Sequence, residues 1–299
     1  MKTSEQQPGF RKRAFAATGA AVLAFSLGAC SSANTAPVPS GYSSVVGIGG
    51  SYEAGFAAGP LVIGMPKRCL QTAAANPLQV ARELGVPVHN FACSGAKTSD
   101  VLSKTGSKRQ PAQLRLAERA MRDALVTVLV GGNDVGWMQY LEHCAQKGCA
   151  SLPAAAIDSP RYQRLTHNIE AIVGTAYHDG ARKVLVDGYV NPGKLDCLLT
   201  LGLTRHRMTH MDYQRIDQAL WLLNGALESG AENAGAQYVP LDQAFFEHGV
   251  CVPKVAQGYV AVNESGPWLA GPHYLNGGGA WHPIQAGQNE IARLNLQAA

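Results

Sequence analysis

Three polar side chains in this sequence stand where glycine-rich turns interrupt apolar runs: Ser51 in GIGGSYEAG, Asn133 in VGGND and His282 in WHPIQAG. A fourth turn of the same kind, FACSGA, carries Gly95. A hydroxyl beside an imidazole is the pair that acyl transfer requires, because the imidazole removes the proton that keeps the hydroxyl a weak nucleophile. Glycine-rich backbone offers N–H groups, and an asparagine amide adds another donor, which together are the parts of an oxyanion hole. Taken singly, each is ordinary. Glycine and serine after a strand usually make a turn, Asn133-Asp134 suits a helix cap, and His282 before Pro283 suits a helix start. Their joint order along one chain is what points to chemistry.

The elements that must bring them together alternate. Short β-branched or continuous apolar runs at Ser43–Ile48, Pro87–Ala92, Leu125–Val130, Lys183–Val190 and Ala236–Leu241 read as strands. Between and after them, helical spacing of apolar residues predicts helices at Pro77–Gly85, Ala112–Ala124, Pro160–His178, Met208–Asn233 and Ile284–Leu296. Strands separated by helices imply an α/β fold, a three-layer α/β/α sandwich around a parallel five-stranded sheet with right-handed crossovers. Such sheets bind ligands at the carboxyl ends of their strands, where Ser51, Gly95 and Asn133 fall. No repeat and no second linker divides residues 42–299, which read as one domain.

Composition narrows the class. With 46% hydrophobic and 15% charged residues in 299, the chain can bury a sizeable core, and 33 glycines without a three-residue period exclude a collagen-like fibre. The formal charge of +4 is local. Residues 1–29 hold Lys2, Arg11, Lys12 and Arg13 against Glu5, so the remainder keeps 21 of 25 basic and 20 of 21 acidic residues, a net of +1 that calls for no nucleic-acid partner.

That basic start is followed by the apolar run Ala14–Gly28, the pattern of an export signal. As a helix it would reach about 22 Å, short of a bilayer core of roughly 30 Å. Its end, Leu27-Gly28-Ala29-Cys30, resembles the lipobox of bacterial lipoproteins, which would make Cys30 an acylated first residue and a membrane anchor. An ordinary secretory signal with a cysteine beside the cut is the alternative. The expected organisation is a signal peptide at 1–29, a lipidated tether at 30–41 and a domain at 42–299. The six cysteines beyond Cys30 read as three disulfides of an exported protein, with fifteen connectivities open. Zinc is not expected: no CxxC pair exists, and His206 and His210, placed on a polar helix face, lack the glutamate of a zinc-protease motif.

The four turns, in this order, resemble the SGNH or GDSL-type hydrolases over nearly the whole domain, with VGGND and ACSGA the most specific blocks. The resemblance implies a flavodoxin-like sheet and an esterase or lipase that needs no metal or organic cofactor. It implies Ser51 as nucleophile, His282 as general base, and the N–H of Ser51, the N–H of Gly95 and the Asn133 amide as the oxyanion hole. The actinobacterial secreted branch further implies disulfides Cys69–Cys93, Cys144–Cys149 and Cys197–Cys251.

Two positions depart from the family pattern. Gly50 stands where an aspartate usually precedes the serine, and Gly279 stands where an aspartate usually precedes the histidine by three residues. A backbone carbonyl around Gly279 is the expected orienting group for His282, and Asp242, after the fifth strand, is a remote substitute. Competing signatures are missing: there is no G-x-S-x-G, no dinucleotide fingerprint and no Walker A sequence. Walls of an acyl pocket are expected from Tyr52–Leu70, Trp137, Trp268 and Trp281, with core packing as the alternative for each tryptophan; His248, near Cys251, is expected to be structural.

The expected protein is thus a monomeric extracytoplasmic serine esterase or lipase at the cell membrane or envelope. It would act on acyl esters of lipids or glycans, without nucleic acid. An envelope acyltransferase using the same acyl-enzyme, or a lipoprotein that has lost activity, are the alternatives.

Overall fold

The computed structural model describes residues 41–64, 66, 69–103, 111–152, 159–200, 202, 204–245, 248–251 and 281–299. The segments expected to be a signal (1–29) and a tether through residue 40, with Cys30, and also Trp268 and Gly279, lie outside them.

The sheet is built from five short strands: β1 (Val45–Gly49), β2 (Val88–Asn90), β3 (Leu125–Leu129), β4 (Lys183–Asp187) and β5 (Gln237–Val239). Every pairing is parallel and the spatial order is β2-β1-β3-β4-β5. The central strands β1 and β3 are buried along their whole length, which is why they read as unbroken apolar runs rather than alternating ones. β5 stops at Val239 because Pro240 has no N–H for the ladder.

Among the described residues there are ten α-helices: α1 (Asn76–Leu84), α2 (Thr98–Leu102), α3 (Gln113–Ala117), α4 (Gly132–Val135), α5 (Trp137–Lys147), α6 (Ser159–His178), α7 (Asp196–Thr200), α8 (His210–Asn233), α9 (Asp242–Phe245) and α10 (Gln285–Ala298). α1 and α10 pack together, as do α6 and α8, and α2 and α3 lean on α6. Right-handed crossovers account for the division: the step from β1 to β2 runs opposite to the steps toward β5, so α1 lies on the face opposite α6 and α8, and α10 joins α1. This is the predicted three-layer α/β/α arrangement with a five-stranded parallel sheet.

Three expectations are corrected in detail. The helix read at Ala112–Ala124 ends as α at Ala117, tightens into a 3-10 turn at Glu118–Ala120, and is stopped by Asp123, whose φ of 55° cannot continue a right-handed helix. His206 and His210 do not share a helix face. α8 begins only at His210, because Thr209 caps it and Asp212 closes the capping box, and His206 lies before it with Nε2 2.9 Å from Asp212. Trp137 is 2% exposed and stacked on Tyr140, a core residue. Among the described residues no helix is long and apolar enough to cross a membrane.

Between the sheet and the α1/α10 layer lies a buried polar cluster. Glu53 and Asp187 are both fully buried. Thr127 Oγ1 and Asn76 Nδ2 donate to Glu53 at 2.5 and 3.0 Å, and Asn295 Nδ2 donates to Asp187 at 3.0 Å. Burial pushes the Glu53 carboxyl up to about 7, and burial with the nearby Glu53 charge holds Asp187 well above the ordinary carboxylate range. The folded chain therefore keeps a proton on Glu53 between about pH 4.5 and 7 that the unfolded chain releases. Stability from this site is present below that window and lost as pH rises through it. Denaturant unfolding at pH 4.5 and pH 7.5 should show the parent losing on the order of 3 kcal/mol more than Glu53→Gln between the two pH values. Parallel pH dependence in the two proteins would refute the assignment.

Candidate active site

The site is assembled from strand ends. β1 delivers Ser51 through Gly49 and Gly50, and the ladder to β3 runs on past the strand, with Gly50 N donating to Leu129 O at 3.0 Å. Gly49 is compelled by space: a Cβ there would lie 2.3 Å from the Leu129 carbonyl oxygen. The chain then turns back, with Ala54 N bonding to Gly50 O and Phe56 N to Ser51 O, which lifts Ser51 to the surface while its neighbours stay inside.

The second strand end is tied to the first by Cys93 N donating to Gly49 O at 3.0 Å. A disulfide joins Cys93 to Cys69, and Ser94 N bonds to Cys69 O, so the turn at Gly95 is held from both sides. Gly95 has φ 78°, a conformation that favours glycine, and is exposed. The other four cysteines among the described residues pair as Cys144–Cys149 and Cys197–Cys251, and the second of these pins the turn containing His248.

The third strand end supplies α4. Asn133 Nδ2 donates one hydrogen to Ala96 O at 3.0 Å and keeps its second. The next residue fastens the same two segments: the Asp134 carboxylate accepts from Thr98 Oγ1 at 2.5 Å and from Thr98 N at 3.0 Å. Burial raises the Asp134 carboxyl, opposed by these Thr98 bonds. The blocks converge on Gly50, where a Cβ would lie 3.5 Å from Ala96 O and 3.6 Å from Asn133 Nδ2, ordinary contact distances. Among the described residues, neither the Ser51 nor the Gly95 N–H donates to any protein acceptor. Two amides and one amide hydrogen are thus available beside Ser51.

His282 arrives from the far end of the chain, just before α10, with Nε2 2.7 Å from Ser51 Oγ. The imidazole is buried between two rings, Tyr52 tilted at 51° and Phe56 edge-on at 74°, each with its centroid 5.2 Å away. Asp242 opens α9 beyond the edge strand β5, its charge bears on Tyr238, and no hydrogen bond joins it to His282. Gly279 lies outside the described residues. Among the described residues no group of three or more His, Cys, Asp or Glu side chains is arranged to hold a metal ion.

The sequence puts Tyr52 and Phe56 in the stretch expected to line the pocket, but nothing local to them shows their contact with the base, and Asp134 and Gln288 carry no site signal of their own. Tyr52 is 2% exposed, Trp281 3% and Gln288 fully buried. A tyrosine immediately after the serine, in a run of small residues, was the available signal.

A parallel sheet of this order, with a serine–histidine pair and unused amides at the mouth between β1 and β3, defines a serine hydrolase of the SGNH type. The chain belongs to the GDSL-like Lipase/Acylhydrolase family, whose model matches residues 48–288, and it is an ester-hydrolysing serine hydrolase. It is 28% identical over 258 residues to Lipase 1 of Streptomyces coelicolor, covering 84% of each chain. Its fold is that of the crystal structure of an extracellular lipase from Streptomyces rimosus (TM-score 0.65, 21% identity, 86% of this chain and 100% of that one). It is also that of phospholipase A1 from Streptomyces albidoflavus (TM-score 0.66, 23% identity, the same coverage).

The two glycines before Ser51 should behave oppositely. Gly49→Ala should destabilise the fold by about 3 kcal/mol or more, because the clash is with backbone. Gly50→Ala should cost no more than about 1 kcal/mol, because its Cβ meets only ordinary contacts. Thermal unfolding of both variants checks the contrast, and equal losses would contradict it.

Proposed function

We propose that this chain is an exported esterase or lipase that cleaves carboxylic acyl esters through an acyl-enzyme on Ser51. The observation that carries this reading is the 2.7 Å approach of His282 Nε2 to Ser51 Oγ beside the unused N–H groups of Ser51 and Gly95. Ser51 Oγ attacks the ester carbonyl as its proton passes to His282 Nε2. The Ser51 and Gly95 amides and the free Asn133 Nδ2 hydrogen receive the negative charge on the carbonyl oxygen. Collapse breaks the bond to the alkoxy oxygen, which takes the proton from His282 and leaves as the alcohol. Water then repeats the sequence: His282 accepts its proton, the hydroxide attacks the acyl carbon, and Ser51 regains its proton as the carboxylic acid departs.

The charge on the imidazolium is held without a side-chain carboxylate, by backbone around Gly279, so Asp242 has no part. Lipases among the relatives support a fatty acyl ester as substrate. The basic and apolar N-terminal run supports a signal at 1–29, and Cys30 supports a lipid anchor followed by a tether to residue 41. The domain at 42–299 then works as a monomer on the outer side of the membrane, without metal, organic cofactor or nucleic acid. The alternative of an inactive scaffold has the intact serine–histidine bond against it.

Hydrolysis of p-nitrophenyl acyl esters tests this directly. Ser51→Ala and His282→Ala should each lose roughly a thousandfold or more in kcat, and the double variant little beyond either, because the two groups act as one unit. Asp242→Asn should stay within about twofold. A Ser51→Ala protein as active as the parent would remove the assignment of nucleophile. A rate series from acetate to palmitate then measures the length of the acyl pocket.

A further inference from the structure

Two hydrogen bonds join the turn that carries the nucleophile to the segment that carries the base, and neither uses Ser51 or His282. The Tyr52 hydroxyl donates to the Trp281 carbonyl at 2.6 Å. The Gln288 side-chain amide, in the first turn of α10, donates to the Tyr52 carbonyl at 2.8 Å while its oxygen accepts from Asn76 N at 2.9 Å. Buried as these groups are, water does not compete for the bonds.

The backbone they hold is unusual. Trp281 has φ 67°, in the left-handed region, where a bulky L residue crowds its own backbone and stays only if its surroundings fix it. Its carbonyl belongs to the same planar peptide as the nitrogen of His282. Fixing that oxygen therefore fixes where the imidazole is attached. The Tyr52 ring meanwhile lies against the imidazole, 5.2 Å between centroids, and against the Tyr189 ring at 5.0 Å. At position 279 the chain offers no carboxylate to steer the ring.

We propose that Tyr52 is the positioning residue for His282: its hydroxyl on the Trp281 carbonyl and its own carbonyl on Gln288 hold the peptide from which the imidazole extends, keeping Nε2 within reach of Ser51 Oγ. This rests on the reading of Ser51 and His282 given above. Tyr52 touches neither reacting proton. It acts through backbone, and a displacement of about 1 Å at a reacting pair is enough to cost on the order of a hundredfold in rate.

Tyr52→Phe removes one oxygen and leaves both ring contacts in place. In the full-length protein, kcat per folded molecule should fall about tenfold or more with KM for the p-nitrophenyl ester within about twofold. In a His282→Ala background the same change should have no further effect, because a group acting through His282 then has nothing to act on. A 4-aminophenylalanine incorporated at position 52 restores a donor and should recover most of the lost rate. A merely structural role would lower the folded fraction and leave kcat per folded molecule alone. Should Tyr52→Phe not fold, Gln288→Met removes the other bond and is read the same way. The proposal is overturned if the folded variant keeps kcat within about twofold, or loses as much in the His282→Ala background as in the parent. A His282→Ala protein as active as the parent would instead sink the reading of the site, whatever Tyr52→Phe does.

Discussion

The approach of β1 to β3 at their carboxyl ends is the constraint on which the rest depends. Gly49 pairs with Leu129, and the absence of a side chain at Gly49 lets the strand end press against the Leu129 carbonyl. From this pair the chain departs in opposite directions, to β2 on one side and to β4 on the other. A crevice opens where the connections diverge, as in other sheets of this order. Ser51 stands on one lip and Asn133 on the other. A side chain at Gly49 would separate the lips, and with them the nucleophile from its amide donor.

The base must reach this crevice from 231 residues away in sequence. Closing so long a span adds little more entropy cost than a moderate loop, since that cost grows only logarithmically with length. What has to be supplied is local order at the docking face. The buried polar cluster supplies it: Asn76 of α1 meets Glu53 beyond β1 and Asn295 of α10, and Asn295 meets Asp187 at the end of β4. Polar groups at such depth are stable only in a specific arrangement, so the cluster sets the register of α10 on the sheet in a way that apolar packing alone would leave loose. Its cost is two carboxyls that burial drives toward the neutral form.

Most of the architecture was legible because its signals are local. Val45, Val46 and Ile48, or Leu125 to Leu129, are apolar without alternation, which a strand covered on both faces requires. Gly85, at φ 68°, ends α1 as its position after the apolar stripe predicts. The shorter elements were not legible. α2, α4, α7 and α9 have four or five residues each, too few for a helical period to show. α8 begins later than its apolar pattern suggests because Thr209 and Asp212 form a cap, and His206 consequently falls outside it.

Residue types and their order by themselves determined the fold class, the four strand-end turns and the acyl-transfer inventory of Ser51, Gly95, Asn133 and His282. These follow from periodicity and from the chemistry of single side chains, which need no knowledge of neighbours distant in the chain. Only the tertiary structure decided that Ser51 Oγ lies 2.7 Å from His282 Nε2, that Asp242 opens the helix after β5 without a hydrogen bond to His282, and that Tyr52 faces the imidazole rather than lining an open loop. The same holds for Glu53 and Asp187, which in sequence are ordinary carboxylates. Burial, hydrogen-bond partners and proton affinity are set by what the fold packs around a group, and residues far apart in sequence supply them.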